Sequence, residues 1–431
     1  MSKNILICDN KNYIPRLVES TITQYLKSSG CVVIEGAKWC GKSTTAERFA
    51  KKVVKLQKPA TFRQYKLLAD VGDANLLSGD RPILFDEWQK LPELWDYIRA
   101  EIDDTSERGS FILTGSAKPI EDRERHSGIG RITKLVMRTM SLSESGESTG
   151  EVSLFDLFAG QTKISGINKH KLKDIAYLLC RGGWPAAVIE KDIDLSVNLA
   201  RMYVESLITT DVTNVDEIKR NPTRARAILK AYARNTSTTA SLSTILKDVE
   251  NNTIADTRTL DSYLNAFAKL FVIEDTESWA PRLRSKTTIR TTSTRHFSDP
   301  SIAAAALNAS PDDLMNDLNT FGLLFENLCL RDLKIYMQGL NGQVFTYKDK
   351  DGLEADAILH LNNGQWGAVE VKLGGETLIN EGAKNLLSLA KKVDSDKMKA
   401  PSFLMVLTAV DEFAYRRPDG VFVVPIGCLK N

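Results

Sequence analysis

Short apolar runs that end on glycine or acidic residues recur through the first third of the chain. Cys31-Val-Val-Ile-Glu35 is β-branched and uninterrupted, and it predicts a buried strand. A helical pattern from Ile14 to Lys27 precedes it, with Gly30 as the expected cap. A helix-forming run follows from Thr44 to Lys52. Two further strands are predicted at Pro82-Ile-Leu-Phe-Asp86 and Ser110-Phe-Ile-Leu-Thr114. From about Gly150 to Gln161 the pattern loosens into Ser-, Thr-, Gly- and Glu-rich sequence, a plausible boundary. Helical periodicity returns at Lys173–Cys180, Ala187–Thr210, Ser241–Val249 and Thr257–Leu270, before a strand-like Phe271-Val-Ile-Glu-Asp275. The last third opens on an apolar helix, Phe321–Leu330. Two alternating strands follow, Glu354–Leu359 and Trp366–Lys372, joined by the hairpin signal Asn362-Asn363-Gly364.

At 431 residues the chain is long enough for two or three domains. A 42% hydrophobic content with 26% charged residues excludes wholesale disorder. The net charge of +2 argues for neither a nucleic acid nor a membrane partner by itself. No apolar stretch approaches the roughly 18 residues of a membrane span, and the first residues lack a secretory leader pattern. The six cysteines show no CxxC pair, so a zinc site or disulfide frame is not expected. A cytoplasmic protein without membrane contact is the resulting expectation. His126, His170, His296 and His360 lie too far apart in sequence for a His-rich metal site and are read as mostly surface residues.

Chemistry enters at Gly36-Ala37-Lys38-Trp39-Cys40-Gly41-Lys42-Ser43, a full match to GxxxxGK[ST] placed between a strand and a helix that opens at Thr44. Gly36 and Gly41 allow backbone N–H groups to turn inward on phosphates, and the helix start favours the same charge. Lys42 would reach the β- and γ-phosphate oxygens, while Ser43 and the strand-end Asp86 would hold Mg²⁺. Glu87, one residue further, is placed as a general base for the attacking water. Thr114 and Ser116 end a neighbouring strand and are candidates to sense the γ-phosphate. Arg123, Arg125 and Arg131 lie in a basic, glycine-containing stretch, and Arg131 is the candidate trans arginine of a homo-oligomer.

These segments resemble the ATP-binding proteins of the AAA_14 type, which carry a C-terminal region called DUF4143. The resemblance rests on Gly36–Ser43, Leu84-Phe-Asp86-Glu87-Trp-Gln89 and Phe111-Ile-Leu-Thr-Gly-Ser116. Met140-Ser-Leu-Ser-Glu144 and Gly182-Gly183-Trp184-Pro185 extend it. Lys38 stands where that family's loop usually has arginine. The resemblance implies an ASCE/AAA-like P-loop ATPase core using ATP and Mg²⁺.

Two short helices and a following ribbon in the middle of the chain give the outline of a winged helix-turn-helix, which the family resemblance also implies. Between Val212 and Arg295 there are 14 Lys and Arg against 9 Asp and Glu. Arg282, Arg284 and Lys286 alternate, so they would share one face of a wing strand and could meet DNA phosphates. An ordinary solvated face accounts for them equally well. Arg258 and Ser262 are further candidates on the second helix.

In the last third, Asp356 and Glu370 fall on adjacent strands, and Lys372 shares a face with Glu370. With Glu326 upstream, this D-x13-E-x-K pattern resembles the PD-(D/E)xK nuclease fold. The resemblance implies that Glu326, Asp356 and Glu370 hold Mg²⁺ and that Lys372 positions the attacking water. Glu354-Ala355 replaces the proline that names the motif.

The expected architecture is therefore α/β throughout. Residues 1–150 form the P-loop domain, 151–295 a helical winged-helix connector and 296–431 a nuclease-like domain. ATP hydrolysis coupled to DNA binding or processing is the leading expectation. The alternative is a nucleotide-switched assembly protein whose inactive nuclease-like domain recognises a partner. A small-molecule kinase is disfavoured, because no acceptor-binding motif accompanies the loop.

Overall fold

A computed structural model describes residues 13–116, 128–216, 218–249, 256–280, 292–393 and 398–431. It divides into two compact units, Met1–Arg138 with Lys269–Phe271, and Thr139–Ala268 with Val272–Asn431.

The first unit is built on five parallel strands: β1 (Cys31–Glu35), β2 (Lys52–Lys55), β3 (Ile83–Asp86), β4 (Phe111–Gly115) and β5 (Ile132–Val136). Their spatial order is β2-β3-β4-β1-β5. β4 therefore lies between the glycine-loop strand and the acidic strand, and all three end at the same edge. The central strands are buried on both faces, which is why they read as continuous apolar runs. Four helices, α1 (Val18–Ser28), α2 (Lys42–Glu47), α3 (Pro59–Asp70) and α4 (Leu94–Thr105), accompany the sheet. Trp88, Trp95, Ile98 and Ile102 pack with Cys31, Val33 and Phe85 on one face, while Ile22, Cys40 and Ala46 pack with Val32 and Ile34 on the other.

Three local expectations change. The first helix starts at Val18 and stops at Ser29, whose backbone is extended. Gly30 is thus no left-handed cap; a Cβ there would sit 2.7 Å from the Ile102 side chain, so close helix packing is what requires glycine. The helix after the glycine loop stops at Glu47, because Lys52–Lys55 is recruited as an edge strand beside β3.

The second unit begins with short elements: β6 (Val152–Ser153), α5 (Leu154–Phe158) and β7 (Gly166–Ile167). The loose-looking sequence there is ordered, and β6 pairs with the C-terminal β14 (Leu429–Lys430). Helices α6 (Leu172–Arg181), α7 (Pro185–Ile189), α8 (Ile193–Ser206), α9 (Val212–Asn214), α10 (Pro222–Arg234), α11 (Leu242–Asp248) and α12 (Thr257–Lys269) follow. The single helix expected over Ala187–Thr210 is broken where Asp192 caps a new start, and a π turn follows at Leu207–Asp211. The strand expected after α12 reduces to isolated bridges, Ile273 with Phe297 and Thr276 with Thr294. Arg282, Arg284 and Lys286 lie outside the described residues, as do Arg123, Arg125 and His126.

Three more helices, α13 (Pro300–Ala306), α14 (Pro311–Asn316) and the long α15 (Leu318–Gly339), lead into a mixed seven-stranded sheet. Its remaining elements are β8 (Gly342–Lys348), β9 (Glu354–Leu361), β10 (Trp366–Lys372), α16 (Glu376–Lys392), β11 (Phe403–Thr408), β12 (Phe413–Arg416) and β13 (Phe422–Pro425). The order is β7-β12-β13-β11-β10-β9-β8, with β9 and β10 antiparallel and β10 and β11 parallel.

A buried charge cluster ties this unit together. Arg331 Nη1 donates to Asp299 at 3.0 Å, and its Nε and Nη2 donate to Asp332 at 2.9 and 2.7 Å. Asp299 also accepts from Thr139, Ser301 and the backbone N–H of Gly183, while Asp332 accepts from the N–H of Leu142. The Gly182–Gly183 pair has a steric reason to be glycine. A Cβ on Gly183 would meet the Met140 carbonyl at 2.0 Å, and one on Gly182 would meet Asp299 at 2.4 Å. All three charged side chains are at most 3% exposed. Replacing Arg331 with methionine leaves two carboxylates buried without their cation, so Arg331→Met is expected to lower stability by about 3–5 kcal/mol. Urea unfolding of the two proteins measures it, and a change within 1 kcal/mol would show the cluster to be energetically neutral.

Candidate functional sites

The first site lies at the carboxyl edge of the parallel sheet. The turn from β1 into α2 needs backbone that ordinary residues avoid. Gly36 has φ +152° and Gly41 φ +102°, and even Trp39 takes φ +66°. A Cβ on Gly36 would stand 2.1 Å from the Met137 carbonyl, where the chain leaves β5. The loop is fastened to the same place by two donors. Arg16 Nη1 bonds to the Cys40 carbonyl and Nη2 to the Arg138 carbonyl, both at 2.9 Å. Cys40 Sγ contacts the Met137 carbonyl at 3.3 Å.

Lys42 is buried and bonds to the carbonyls of Gly36 and Ala37 at 2.9 and 2.7 Å, within its own loop. Asp86 is 1% exposed and receives three donors. Ser43 Oγ and Thr114 Oγ1 reach its Oδ1 at 2.5 and 2.6 Å, and Gln57 Nε2 reaches its Oδ2 at 2.9 Å. The hydroxyl–carboxylate pair of Ser43 and Asp86 is a donor set that suits Mg²⁺. Glu87 has φ +60° and accepts from Gln89 and, at 3.1 Å, from Ser116. Lys42, Ser43, Asp86 and Thr114 are thus gathered on one edge. Gln57 and Arg16 belong to this arrangement and carried no local sequence signal; each is legible only once β2 and β5 are in place. Arg131 is half exposed and donates to Asp103 at 2.6 Å in its own chain.

The second cluster is acidic. Glu326 comes from α15, Asp356 from β9, and Glu370 and Lys372 from β10. Lys372 Nζ lies 3.0 Å from Glu370 Oε2, and Asp356 Oδ2 accepts from the N–H of Val371 at 2.7 Å. Burial, then the charges of Asp356 and Glu370, hold the Glu326 carboxyl well above the usual carboxylate range. Burial and Asp356 push Glu370 up to about 7, against the pull of Lys372. Burial likewise raises Asp356. Three raised acids, with Asp356 raising both glutamates, form a donor set whose repulsion a divalent cation would relieve. Among the described residues, no three His, Cys, Asp or Glu side chains already stand in a cation-holding arrangement. A polar cavity of about 230 Å³ adjoins Glu326 and Asp356, and Ser237, Thr238, Thr294 and Thr346 contribute to its wall.

His296 corrects the sequence expectation of a surface residue. It is 1% exposed, and its Nε2 lies 3.8 Å from Glu326 Oε1. Burial, then Lys334, push it down to about 3, so it is a neutral imidazole. Arg258 is exposed at the start of α12, and Ser262 accepts from Arg220 at 3.2 Å.

Three family models match successive parts of the chain. An AAA domain family, AAA_14, matches residues 28–146; a domain of unknown function, DUF8612, matches 172–313; and another, DUF4143, matches 321–429. The N-terminal unit is thus a P-loop ATPase-type domain. No curated protein matches the chain. Among solved structures, a Walker-type ATPase of Pyrococcus abyssi is 16% identical with a TM-score of 0.43, over 69% of this chain and 97% of its own. A DNA replication initiation factor is 14% identical with a TM-score of 0.27, over 59% of this chain and 92% of its own. Among the described residues, no helix is long and apolar enough to cross a membrane.

The raised carboxyls make stability depend on pH. An unfolded glutamate titrates near 4.3 and folded Glu370 at about 7, so between these values the folded chain holds the proton more tightly. Its contribution is complete below about pH 4.3 and is lost as pH rises through 7. In chelator-treated protein, the stability difference between wild type and Glu370→Gln is expected to shift in favour of the variant across that window. Urea titrations at pH 5 and pH 8 measure it; an unchanged difference refutes the raised carboxyl.

Proposed function

We propose that the chain is a Mg²⁺-dependent ATPase that couples nucleotide turnover to DNA binding or processing through its second unit. The observation that carries the ATPase reading is the Asp86 carboxylate at the phosphate-loop edge, where Ser43 and Thr114 meet one of its oxygens at 2.5 and 2.6 Å. Ser43 and Asp86 would hold the metal, whose charge offsets that of the β- and γ-phosphates. Lys42 would exchange its bonds to Gly36 and Ala37 for phosphate oxygens. Thr114, already bonded to Asp86, would report the state of the γ-phosphate to β4. Glu87 would release Gln89 and Ser116 to accept the proton of the attacking water. The loop contacts from Gly36 to Thr44 would surround the phosphates, with Lys38 and Trp39 at the rim. Arg131, on leaving Asp103, is the candidate to complete a neighbouring site in an oligomer.

Two substitutions separate these roles. Lys42→Ala is expected to abolish ATP turnover and weaken ATP binding. Glu87→Gln is expected to keep binding and lower turnover by about 10²-fold or more. Phosphate release and equilibrium nucleotide binding measure both, and full turnover in Lys42→Ala would overturn the phosphate-loop assignment.

The proposal extends to the second unit as a winged-helix connector and a PD-(D/E)xK nuclease-like domain. There Glu326, Asp356 and Glu370 would hold Mg²⁺, and Lys372, 3.0 Å from Glu370, would orient water at the scissile phosphate. The raised carboxyls support this reading. The ion pair of Lys372 with Glu370 also suits a second one, in which the domain recognises a partner without cutting it and ATP switches assembly. Incubating labelled duplex and single-stranded DNA with Mg²⁺ or Mn²⁺, with and without ATP, distinguishes them. Cleavage that Asp356→Ala loses is the expected result; intact DNA under every condition, with ATP turnover preserved, would establish the switch instead.

A further inference from the structure

The acidic cluster has a neighbour that its motif does not contain. His296 is 1% exposed, and its Nε2 has no hydrogen-bond partner. Nδ1 is bonded to Thr276 Oγ1 at 2.9 Å, so the ring is held in orientation from behind while Nε2 faces Glu326. The backbone beside it is fixed against α15. Asn327, next to Glu326, accepts from the Phe297 N–H at 2.9 Å and donates to the Phe297 carbonyl at 2.8 Å. Asn327 also meets Thr236 Oγ1 at 3.1 Å. His296 and Glu326 are therefore held side by side by a two-point amide clamp.

A buried imidazole nitrogen without a partner costs free energy that a core histidine normally avoids by finding a donor. The 3.8 Å gap to Glu326 Oε1 is too wide for a hydrogen bond. It is shorter than twice a metal–ligand bond of about 2.1 Å, so one cation can span it. A ligating histidine characteristically has its other nitrogen tied to a second group, as Thr276 ties this one. Lys334 and Glu274 also face this region and are paired with each other at 3.6 Å.

We propose that His296 is a cation ligand together with Glu326, so that the acidic cluster is a mixed nitrogen–oxygen site suited to a transition-metal dication such as Mn²⁺ rather than an all-oxygen Mg²⁺ site. This rests on the reading of Glu326, Asp356 and Glu370 as metal ligands. An imidazole donor adds affinity for first-row transition metals and little for Mg²⁺. The nitrogen comes from the segment 172–313, outside the one that matches DUF4143, and so the cation site would be completed across two sequence regions.

Mn²⁺ binding to the full chain tests this without reference to catalysis. Pulsed EPR of nucleotide-free wild type with one equivalent of Mn²⁺ is expected to show imidazole ¹⁴N coupling, lost in His296→Gln. Mn²⁺ affinity in that variant should fall about tenfold or more, while Mg²⁺ competition changes by less than about threefold. Thermal unfolding by circular dichroism accompanies the variant; if it fails to fold, the ¹⁴N signal of the wild type still decides the ligand. Mn²⁺ binding that Asp356→Ala removes, but without ¹⁴N coupling, would overturn the histidine and leave the acidic site standing. No Mn²⁺ binding sensitive to Asp356→Ala would overturn the acidic-site reading and this inference together.

Discussion

A carboxylate taken out of water must find a cation or several hydrogen-bond donors, and the chain meets this demand unevenly. Asp299 has five donors, counting Arg331, Thr139, the N–H of Gly183, and the N–H and hydroxyl of Ser301. Asp86 has three side-chain donors. Burial and nearby acid raise Asp332 too, but the Arg331 fork holds it. Glu326, Asp356 and Glu370 are raised in the same way, with Lys372 bonded to Glu370. Saturated charge at Asp299 has the character of architecture. Unsaturated charge, held at a cost in stability, has the character of a site kept ready for something positive.

The same contrast separates the two acidic strands. Asp86 sits at the end of β3 with its donors supplied by three different segments: Ser43 after the glycine loop, Gln57 after β2 and Thr114 on β4. That convergence requires β4 to lie between β1 and β3. If β1 and β3 were direct neighbours, Thr114 would have no place beside Asp86. Strand order is thus part of the chemistry. Glu87 differs again, since its left-handed backbone turns it out of the strand toward Gln89 and Ser116. Such a conformation is uncommon for a residue with a side chain and persists because neighbours hold it.

Local patterns disclosed what depends on local physics. The strands flanking the glycine loop, the two helices at Leu242–Asp248 and Thr257–Lys269, and the hairpin at Asn362–Gly364 all follow from short-range periodicity and turn chemistry. Elements fixed by distant partners stayed hidden. β2 went unread: the helical run was expected to reach Lys52, and only pairing with β3 makes Lys52–Lys55 extended. Gly30 looked like a cap because the Ile102 side chain, far along the chain, is invisible from its neighbours. The Asp299–Arg331–Asp332 cluster joins residues from two separate stretches, and nothing in either stretch marks it as buried.

His296 shows where sequence distance misleads most. Four scattered histidines argue against a metal site only if every ligand must be histidine. One imidazole beside acids needs a single long-range contact, and Asn327 supplies the tie that makes it. Because that tie lies one residue from Glu326 and one from His296, a change in either partner moves both. The geometry of the acidic cluster is therefore set by the middle of the chain as well as by its last third. A C-terminal fragment beginning at α15 would keep Glu326, Asp356, Glu370 and Lys372. It would lose the imidazole together with Thr236 and Phe297, which orient Asn327 beside Glu326.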